Sequence, residues 1–226
     1  YRQAAIDGER CGFGVAATAR QAAVSARGEA WERHALLRPD LARPERQAGH
    51  LPSLTDRAGL LYDFLRHAAP LSAARFPALN DRVIRRCAGG AAVGVFPGPW
   101  IYPDASPTAN SNGVASGSTL TRAIVSARLE LVERDALLRA WYGLAASRPL
   151  EPDERAHQSL RTLLANAEAV GLEARWFVLG SGPVWTVACV LSGTRAPHLG
   201  LGSAARVSIR DAATKAFLEA AGSHLG

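Results

Sequence analysis

The chain has 226 residues, of which 48% are hydrophobic and 20% charged, which is typical of a globular protein with a substantial core. No uncharged apolar stretch reaches the length of a membrane span, and the polar start lacks the apolar core of a secretion signal. Because the sequence contains no methionine, we expect it to be an internal portion of a longer chain or to have lost residues. We expect residues 1–226 to form a single domain.

The net charge of +6 comes almost entirely from arginine, since Lys215 is the only lysine. A basic surface attracts nucleic acid, nucleotides or acidic peptides. We expect no nucleic-acid partner, because interleaved aromatic and basic residues, zinc-finger spacing and a helix-turn-helix are all missing from the sequence. A P-loop is excluded, because Lys215 follows no glycine loop. Three widely separated cysteines argue against a disulfide framework or a zinc site and favour the reducing cytoplasm.

Capping residues and hydrophobic periodicity predict five helices. In chain order they cover about residues 18–37, 55–67, 118–142, 153–170 and 208–221. Thr18 is the expected N-terminal cap of the first helix, with Gln21 in capping-box spacing. Asp211 is expected to cap the last helix, and Gly222 is expected to end it.

Strand-like runs occupy residues 92–96, 172–179 and 184–191. The last two are joined by Gly-Ser-Gly-Pro at residues 180–183, which predicts a hairpin turn. The proline-rich residues 96–109 predict a loop or a sheet edge. Helices mixed with hairpins indicate an α+β fold without a short solenoid repeat.

A helical segment is duplicated in the sequence. The pattern S-A-R-x-E-x-x-E-R occurs at residues 25–33 and returns 101 residues later at 126–134, with six of nine positions identical. In a weaker third copy, Lys215 and Glu219 hold the positions of the serine and the first glutamate, and Gly222 that of the second glutamate. The repetition predicts a duplicated helical unit with the same acidic face.

The two glutamates of each copy share a helix face, because residues three apart are neighbours on a helix surface. Taken alone, the first copy is explained by an ion pair of Glu29 with Arg33 on a solvated face. In the second copy, apolar residues surround nearly the whole helix, which predicts that Glu130 and Glu133 are buried. Buried carboxylates pair or bind metal, and Mg²⁺ commonly takes carboxylates together with substrate phosphates. We therefore expect both glutamate pairs, including Glu32, to form a metal–nucleotide site.

Three segments resemble the YcaO superfamily. Residues 110–142 read N-S-N-G-V-A-S-G-S-T-L-T-R-A-I-V-S-A-R-L-E-L-V-E-R-D-A-L-L-R-A-W-Y, which is similar to the family's signature turn and helix. Residues 22–35 resemble the family's earlier glutamate-bearing helix, and residues 212–221 resemble its C-terminal helix. The resemblance implies a YcaO-like α+β fold, in which two related carboxylate-bearing helices hold ATP and Mg²⁺.

The resemblance also implies which residues bind these cofactors. The positions that match are Ser25, Glu29, Glu32, Arg33, Asn112, Ser118, Glu130, Glu133 and Arg134. The four glutamates are the expected Mg²⁺ ligands. Asn112 and Ser118 precede a helix whose N-terminus favours phosphate, and Ser118 stands where the family often has asparagine. No catalytic residue is assigned.

The YcaO family phosphorylates a backbone amide oxygen, after which a Cys, Ser or Thr side chain attacks the same carbonyl to give an azoline. The resemblance therefore implies an ATP-dependent cyclodehydratase acting on a ribosomally synthesised precursor peptide. A thioamide- or amidine-forming enzyme and a non-catalytic scaffold subunit are the alternatives.

The sequence departs from the family at several points. Gly222 stands where glutamine is expected, and the proline-rich tail of many azoline-forming members, a zinc tetrathiolate and a leader-binding domain are missing from the sequence. We therefore expect a leader-binding partner protein in addition to the precursor peptide. A homo-oligomer is a further option.

Overall fold

The computed structural model describes residues 2–7, 10–36, 82–85, 92–96, 112–151, 158–193 and 199–224. The chain divides into two compact units, one formed by Tyr1–Trp31 with Asn112–Gly226 and the other by Glu32–Ser111. A single domain over the whole chain stays a prediction. Of the helices that are described, none combines the length and apolar character that crossing a membrane requires.

Helices and strands alternate along the chain in a mixed α+β arrangement. In chain order the elements are β1 (Arg2–Asp7), β2 (Arg10–Val15), α1 (Ala19–Leu36), β3 (Arg82–Arg85), β4 (Ala92–Phe96), α2 (Leu120–Trp141), β5 (Arg148–Leu150), α3 (Gln158–Ala169), β6 (Leu172–Gly180), β7 (Trp185–Gly193), β8 (Leu199–Arg206) and α4 (Ile209–His224). The predicted helix at residues 55–67 and most of the predicted loop at 96–109 lie outside the described residues.

The second unit contributes one described hairpin. Strands β3 and β4 pair antiparallel from Arg82–Phe96 to Arg85–Ala92, with a register shift between Ile84 and Arg85. The strand predicted at residues 92–96 is therefore confirmed. The last residues of α1, from Glu32 onward, also belong to this unit.

Side-chain caps fix the starts of the two repeated helices. Thr18 Oγ1 accepts a hydrogen bond from the backbone N–H of Gln21 at 3.3 Å, so the cap predicted for α1 is confirmed. Thr119 caps α2 in the same way, accepting from the N–H of Arg122 at 3.2 Å. These contacts satisfy N–H groups that have no partner within the helix.

The predicted end of the last helix is wrong, because α4 continues through Gly222 to His224. A methyl group added at Gly222 would lie only 2.5 Å from Val15 Cγ2. The glycine therefore lets the end of β2 approach α4, and it does not terminate the helix. At the start of α4, Ser208 accepts a hydrogen bond from the N–H of Asp211 at 3.4 Å, so Ser208 and not Asp211 provides the cap.

The larger sheet has the strand order β5-β6-β7-β8 and is antiparallel throughout. The predicted hairpin is confirmed, since β6 and β7 pair from Leu172–Gly193 to Gly180–Thr186. Strand β8 was missed, because L-G-L-G-S-A-A-R has no β-branched residue and two glycines, both of which weaken a strand signal.

One face of this sheet forms the core with α3 and α4. The β7 side chains on this face are fully buried: Val187, Cys189 and Leu191. Trp176 on β6 donates a hydrogen bond through Nε1 to the Ala213 carbonyl at 3.1 Å and stacks on Phe217 of α4, with ring centroids 6.1 Å apart. Burial raises the pKa of the Cys189 thiol to about 12, so this cysteine is an inert core residue.

Helix α4 packs directly on the backbone of β8. A methyl group at Gly202 would lie 2.3 Å from the Ala216 carbonyl oxygen and 2.2 Å from the Ala220 nitrogen. Ala216 and Ala220 are both fully buried. A side chain at position 202 would overlap the helix backbone, so the strand needs glycine for this close approach.

Strand β2 packs on α1 in the same manner. A methyl group at Gly12 would lie 2.1 Å from the Ala26 carbonyl oxygen and 2.3 Å from the Ala30 nitrogen. Ala26 and Ala30 are buried, as Ala216 and Ala220 are in α4. The two strand–helix pairs are therefore built on the same glycine–alanine contact.

Helix α2 lies against the opposite face of the larger sheet, contacting β6, β7 and β8. The prediction that this helix is buried on most sides is wrong, because none of its residues is buried. The sheet covers one side only, and the apolar residues on the other sides remain exposed. The large ones that are exposed are Leu120, Val125, Leu131, Val132, Leu138 and Trp141.

Candidate functional site

The contact between α2 and β8 includes a side-chain hydrogen bond. Ser203 Oγ donates a hydrogen bond to Glu133 Oε1 at 2.7 Å, and both side chains are partly buried. Ser203 lies on the α2 side of β8 because its neighbours Gly202 and Ala204 face α4. The strand therefore positions the hydroxyl group that orients this carboxylate.

The surroundings of Glu133 disfavour its ionised form. Burial raises the pKa of the Glu133 carboxyl above its ordinary value, and the neighbouring Glu219 carboxylate raises it further. The Ser203 hydrogen bond and the guanidinium groups of Arg134 and Arg206 lower this pKa, but they do not cancel the effect of burial. An additional cation near this carboxylate would favour its ionised form.

Glu130 lies one turn before Glu133 on the same side of α2. Burial raises the pKa of its carboxyl, and Glu133 adds repulsion, whereas Arg134 and a backbone hydrogen bond from Gly113 lower the pKa. Arg134 Nε lies 3.9 Å from Glu130 Oε1, with the Glu130 side chain 25% exposed. Both glutamates were predicted to be buried, and the structure shows that each is only partly buried.

Helix α4 adds a third carboxylate to this region. Glu219 interacts electrostatically with Glu133, and its backbone lies against Gly202, the residue before Ser203. Lys215 Nζ forms an ion pair with Glu219 Oε1 one turn earlier on α4. The sequence repeat aligned Glu219 with Glu29, whereas its electrostatic effect on Glu133 follows only from the structure.

On α1, Glu29 is hydrogen-bonded to the neighbouring strand β2. Glu29 Oε2 accepts a hydrogen bond from the backbone N–H of Phe13 on β2 at 2.8 Å. Ser25 is exposed on the same helix. Glu32 is half-buried and Arg33 is exposed, and both belong to the second unit.

The turn before α2 lies close to α1. A methyl group at Gly28 would lie 2.9 Å from Ser116 Oγ, so this glycine lets the turn approach next to Glu29. Ser118 Oγ accepts a hydrogen bond from Arg122 Nη1 at 3.1 Å. Asn112 and Ser118 are both exposed. The turn thus presents polar groups and an arginine at a helix N-terminus, where anions bind favourably.

The predicted site residues lie in three parts of the chain. Ser25, Glu29, Glu32 and Arg33 lie on α1, Asn112 and Ser118 precede α2, and Glu130, Glu133 and Arg134 lie on α2. Within the described ranges, no group of three or more acidic, histidine or cysteine side chains is placed to hold a metal ion. A joint ATP–Mg²⁺ site formed by both glutamate pairs stays a prediction.

Sequence reasoning missed Ser203, Arg122 and Arg206. Ser203 has no local pattern to mark it, because its partner is 70 residues away in the chain. Arg122 could have been found, since it lies one turn after Ser118 in the first turn of the predicted helix. Glu219 was noticed as part of the third repeat copy but was not assigned to the site.

The residues present fit ATP with Mg²⁺. Magnesium prefers carboxylate and other oxygen ligands and usually keeps substrate phosphates in its coordination sphere. Glu130 and Glu133 are partly desolvated and repel each other, which a cation relieves, and the turn before α2 offers donors suited to phosphate. Of the predicted ligands, Glu130 and Glu133 would hold the metal from α2, and Ser118 and Arg122 at the start of this helix would offer donors to the phosphates.

The family model of the YcaO cyclodehydratases, described as ATP- and Mg²⁺-binding, matches residues 13–226. The chain therefore belongs to the YcaO cyclodehydratase family. No curated protein gives a significant sequence match.

Solved structures support the same fold. A heterocyclase in complex with substrate and cofactor is 18% identical, with a TM-score of 0.66, over 96% of this chain and 32% of its own. YcaO from Methanopyrus kandleri, bound with AMPPCP and Mg²⁺, is 20% identical, with a TM-score of 0.66, over 99% of this chain and 58% of its own. The E. coli microcin synthetase McbBCD complex is 15% identical, with a TM-score of 0.65, over 99% of this chain and 63% of its own. This chain spans less than two thirds of each.

Proposed function

We propose that this chain uses ATP and Mg²⁺ to activate backbone amides of a ribosomally synthesised precursor peptide, leading to azolines at Cys, Ser or Thr. The observation that carries the proposal is the partly buried Glu130–Glu133 pair on α2, held by Ser203 and flanked by Glu219. These groups lie in a chain that belongs to an ATP- and Mg²⁺-binding family.

The chain's own residues would act by binding and orientation. Bound ATP supplies the phosphoryl group that turns the amide oxygen into a leaving group. Glu130 and Glu133 place two carboxylates on α2, Ser203 orients the second of them through a hydrogen bond, and Arg122 at the start of α2 would offer its guanidinium group to the phosphates. Such pre-positioned charges are the main means by which phosphoryl-transfer sites lower their barrier.

The choice of azoline rests on the solved heterocyclase and microcin synthetase structures with the same fold. An enzyme with the same ATP site can instead use sulfide or an amine, giving a thioamide or an amidine. The product mass distinguishes these outcomes: loss of one water indicates an azoline, and exchange of oxygen for sulfur indicates a thioamide. A scaffold subunit would leave the peptide unchanged and consume no ATP.

The proposed partner is a leader-binding protein. The E. coli microcin synthetase is a complex, and one of its structures holds the peptide pro-MccB17. The net charge of +6 suits an acidic peptide segment, and such attraction weakens with salt because exposed charges are screened within about 10 Å at 0.1 M. We expect the chain alone to bind precursor peptide weakly.

The experiment measures ATP hydrolysis and the mass of the precursor peptide, first with the chain alone and then with the protein that the neighbouring gene encodes. We expect both signals to appear only when the neighbour and its precursor peptide are present. Robust conversion by the chain alone would exclude the need for a partner. No ATP hydrolysis under any combination would favour the scaffold alternative.

A further inference from the structure

The turn before α2 lies along the surface of this helix. In the middle of α2, a methyl group added at Gly113 would lie 2.9 Å from Leu131 Cδ2. Near the start of the helix, a methyl group at Gly117 would lie 2.5 Å from the Ala123 nitrogen. Thr119 then caps α2. The turn is therefore held against the same helix that carries the signature glutamates.

The backbone of this turn contacts one of these glutamates directly. The N–H of Gly113 donates a hydrogen bond to the Glu130 carboxylate. Arg134 is less well placed, because its Nε lies 3.9 Å from Glu130 Oε1, which is beyond hydrogen-bonding distance, and its side chain is 47% exposed. An exposed ion pair at this distance does little to hold two long side chains in one geometry. Of the contacts that the structure describes for Glu130, the Gly113 hydrogen bond therefore fixes the direction of the carboxylate.

Position 113 favours glycine for two reasons. The φ angle of Gly113 is +78°, in the left-handed region that residues with a side chain rarely adopt. A methyl group would also lie 2.9 to 3.1 Å from three atoms of the Leu131 side chain. A larger residue would thus displace the turn and move its N–H away from Glu130.

We propose that Gly113 is a positioning residue, whose backbone N–H aims the Glu130 carboxylate at the cation that binds with nucleotide. This inference rests on the ATP–Mg²⁺ function proposed above. A peptide N–H carries no net charge, so it orients the carboxylate without supplying a competing cation. Groups that orient metal ligands in this way raise the affinity of the site. Ser203 has the corresponding relation to Glu133, through a side-chain hydroxyl.

The first test measures Mn²⁺ affinity in the presence of a non-hydrolysable ATP analogue, using the electron paramagnetic resonance signal of free Mn²⁺. Gly113→Ala should weaken Mn²⁺ binding by about 10-fold or more, as for other groups that orient metal ligands. Gly143→Ala is the matched control, because Gly143, just after α2, has a φ of +69° but a methyl group there would meet no atom within 4 Å. This control should lose stability in denaturant unfolding and keep the affinity of the unmodified protein.

A second measurement follows the hydrogen bond itself and needs no ligand. In nuclear magnetic resonance spectra of the metal-free protein, Glu130→Ala should shift the Gly113 amide proton upfield and speed its exchange with solvent, because the acceptor is removed. Glu133→Ala removes the same charge one turn later and should leave both signals unchanged. Position 113 is not altered in these variants, so the measurement decides the proposal even if Gly113→Ala does not fold.

The results separate this inference from the proposed function. Unchanged Mn²⁺ affinity in Gly113→Ala, or an equal loss in Gly143→Ala, would overturn the inference and leave the ATP–Mg²⁺ function intact. A Gly113 amide that does not respond to Glu130→Ala would overturn it as well. If the unmodified protein binds neither Mn²⁺ nor the analogue, the proposed function fails and this inference fails with it. Circular dichroism checks that the variants remain folded.

Discussion

Ser203 on β8 and Glu133 on α2 are joined by a hydrogen bond of 2.7 Å, although 70 residues separate them in the chain. The bond links the strand that carries α4 to the helix that carries the signature glutamates. Packing of the sheet and placement of the carboxylate are thereby connected through one hydroxyl group.

Replacing this hydroxyl should therefore affect both ligand binding and stability. We expect Ser203→Ala to weaken the binding of Mg²⁺ with nucleotide several-fold and to lower the free energy of unfolding by about 1–3 kcal/mol, as for other hydrogen bonds to charged groups. Isothermal titration and denaturant unfolding measure the two effects. In the control variant Ser223→Ala, the lost hydroxyl bonds only backbone groups, including Leu201 N at 3.1 Å. This control should lose stability without losing affinity.

Removing the negative charge of Glu130 or of Glu133 should stop ATP consumption. Glu130→Gln and Glu133→Gln keep the size of the side chain, but a neutral amide is a poor Mg²⁺ ligand. We expect ATP turnover to fall to background in both variants while circular dichroism shows an unchanged fold. Glu173→Gln on β6 is a suitable control, because Glu173 is exposed and pairs with Arg175. Full turnover in both α2 variants would exclude a ligand role for these carboxylates.

The same two variants should differ from the unmodified protein in how their melting temperature depends on pH. Burial raises the pKa of Glu130 and Glu133 in the folded state, so the folded chain holds these protons more tightly than the unfolded chain. Protonation of these carboxyls therefore stabilises the folded chain. This stabilisation is complete below the pKa of the unfolded chain and is lost as the pH rises through the raised pKa of the folded chain.

Without metal, each Glu→Gln variant should therefore have a higher melting temperature than the unmodified protein at pH 7. This difference in melting temperature should disappear as the pH falls towards about 4.5. Differential scanning calorimetry across this range measures the gap. A gap that stays constant with pH would show that these carboxylates are not the cause. Added Mg²⁺ with nucleotide should reverse the order at pH 7, since only the unmodified protein keeps its full set of ligands.

The contact of β8 with α4 predicts a large effect from a small substitution. Gly202→Ala would place a methyl group within 2.3 Å of two backbone atoms of α4, and overpacking of this kind costs about 1–3 kcal/mol or more. Gly180→Ala is the matched control, because its methyl group would meet no atom closer than 3.6 Å. Urea unfolding should show a clear loss for the first variant and little change for the second.

The sequence predicted those elements whose signals are local. Thr18 and Gln21 marked the start of α1, and the turn at residues 180–183 marked the β6–β7 hairpin. Strand β8 was not predicted, because its glycines are explained only by the helix that packs on them. Likewise Gly222, which normally signals a helix end, instead makes room for Val15.

The candidate site shows the same division. The glutamates of α2 could be selected from their spacing and from the family resemblance. Their burial was overestimated, because apolar residues such as Leu131 and Val132 appeared to require a surrounding core but are exposed in the structure. Ser203 and Arg206 depend on which strand lies against the helix, and no spacing within the chain contains that information.

The alternation along β8 imposes a constraint on how this protein can change. Gly202 faces α4 and Ser203 faces α2, and consecutive residues of a strand point to opposite faces of a sheet. A single inserted or deleted residue before Gly202 would turn Ser203 towards α4 and would place Gly202 or Ala204, respectively, opposite Glu133. Mutations that alter the length of this strand thus remove core packing and the carboxylate's hydrogen bond in one step, whereas a substitution can affect one without the other.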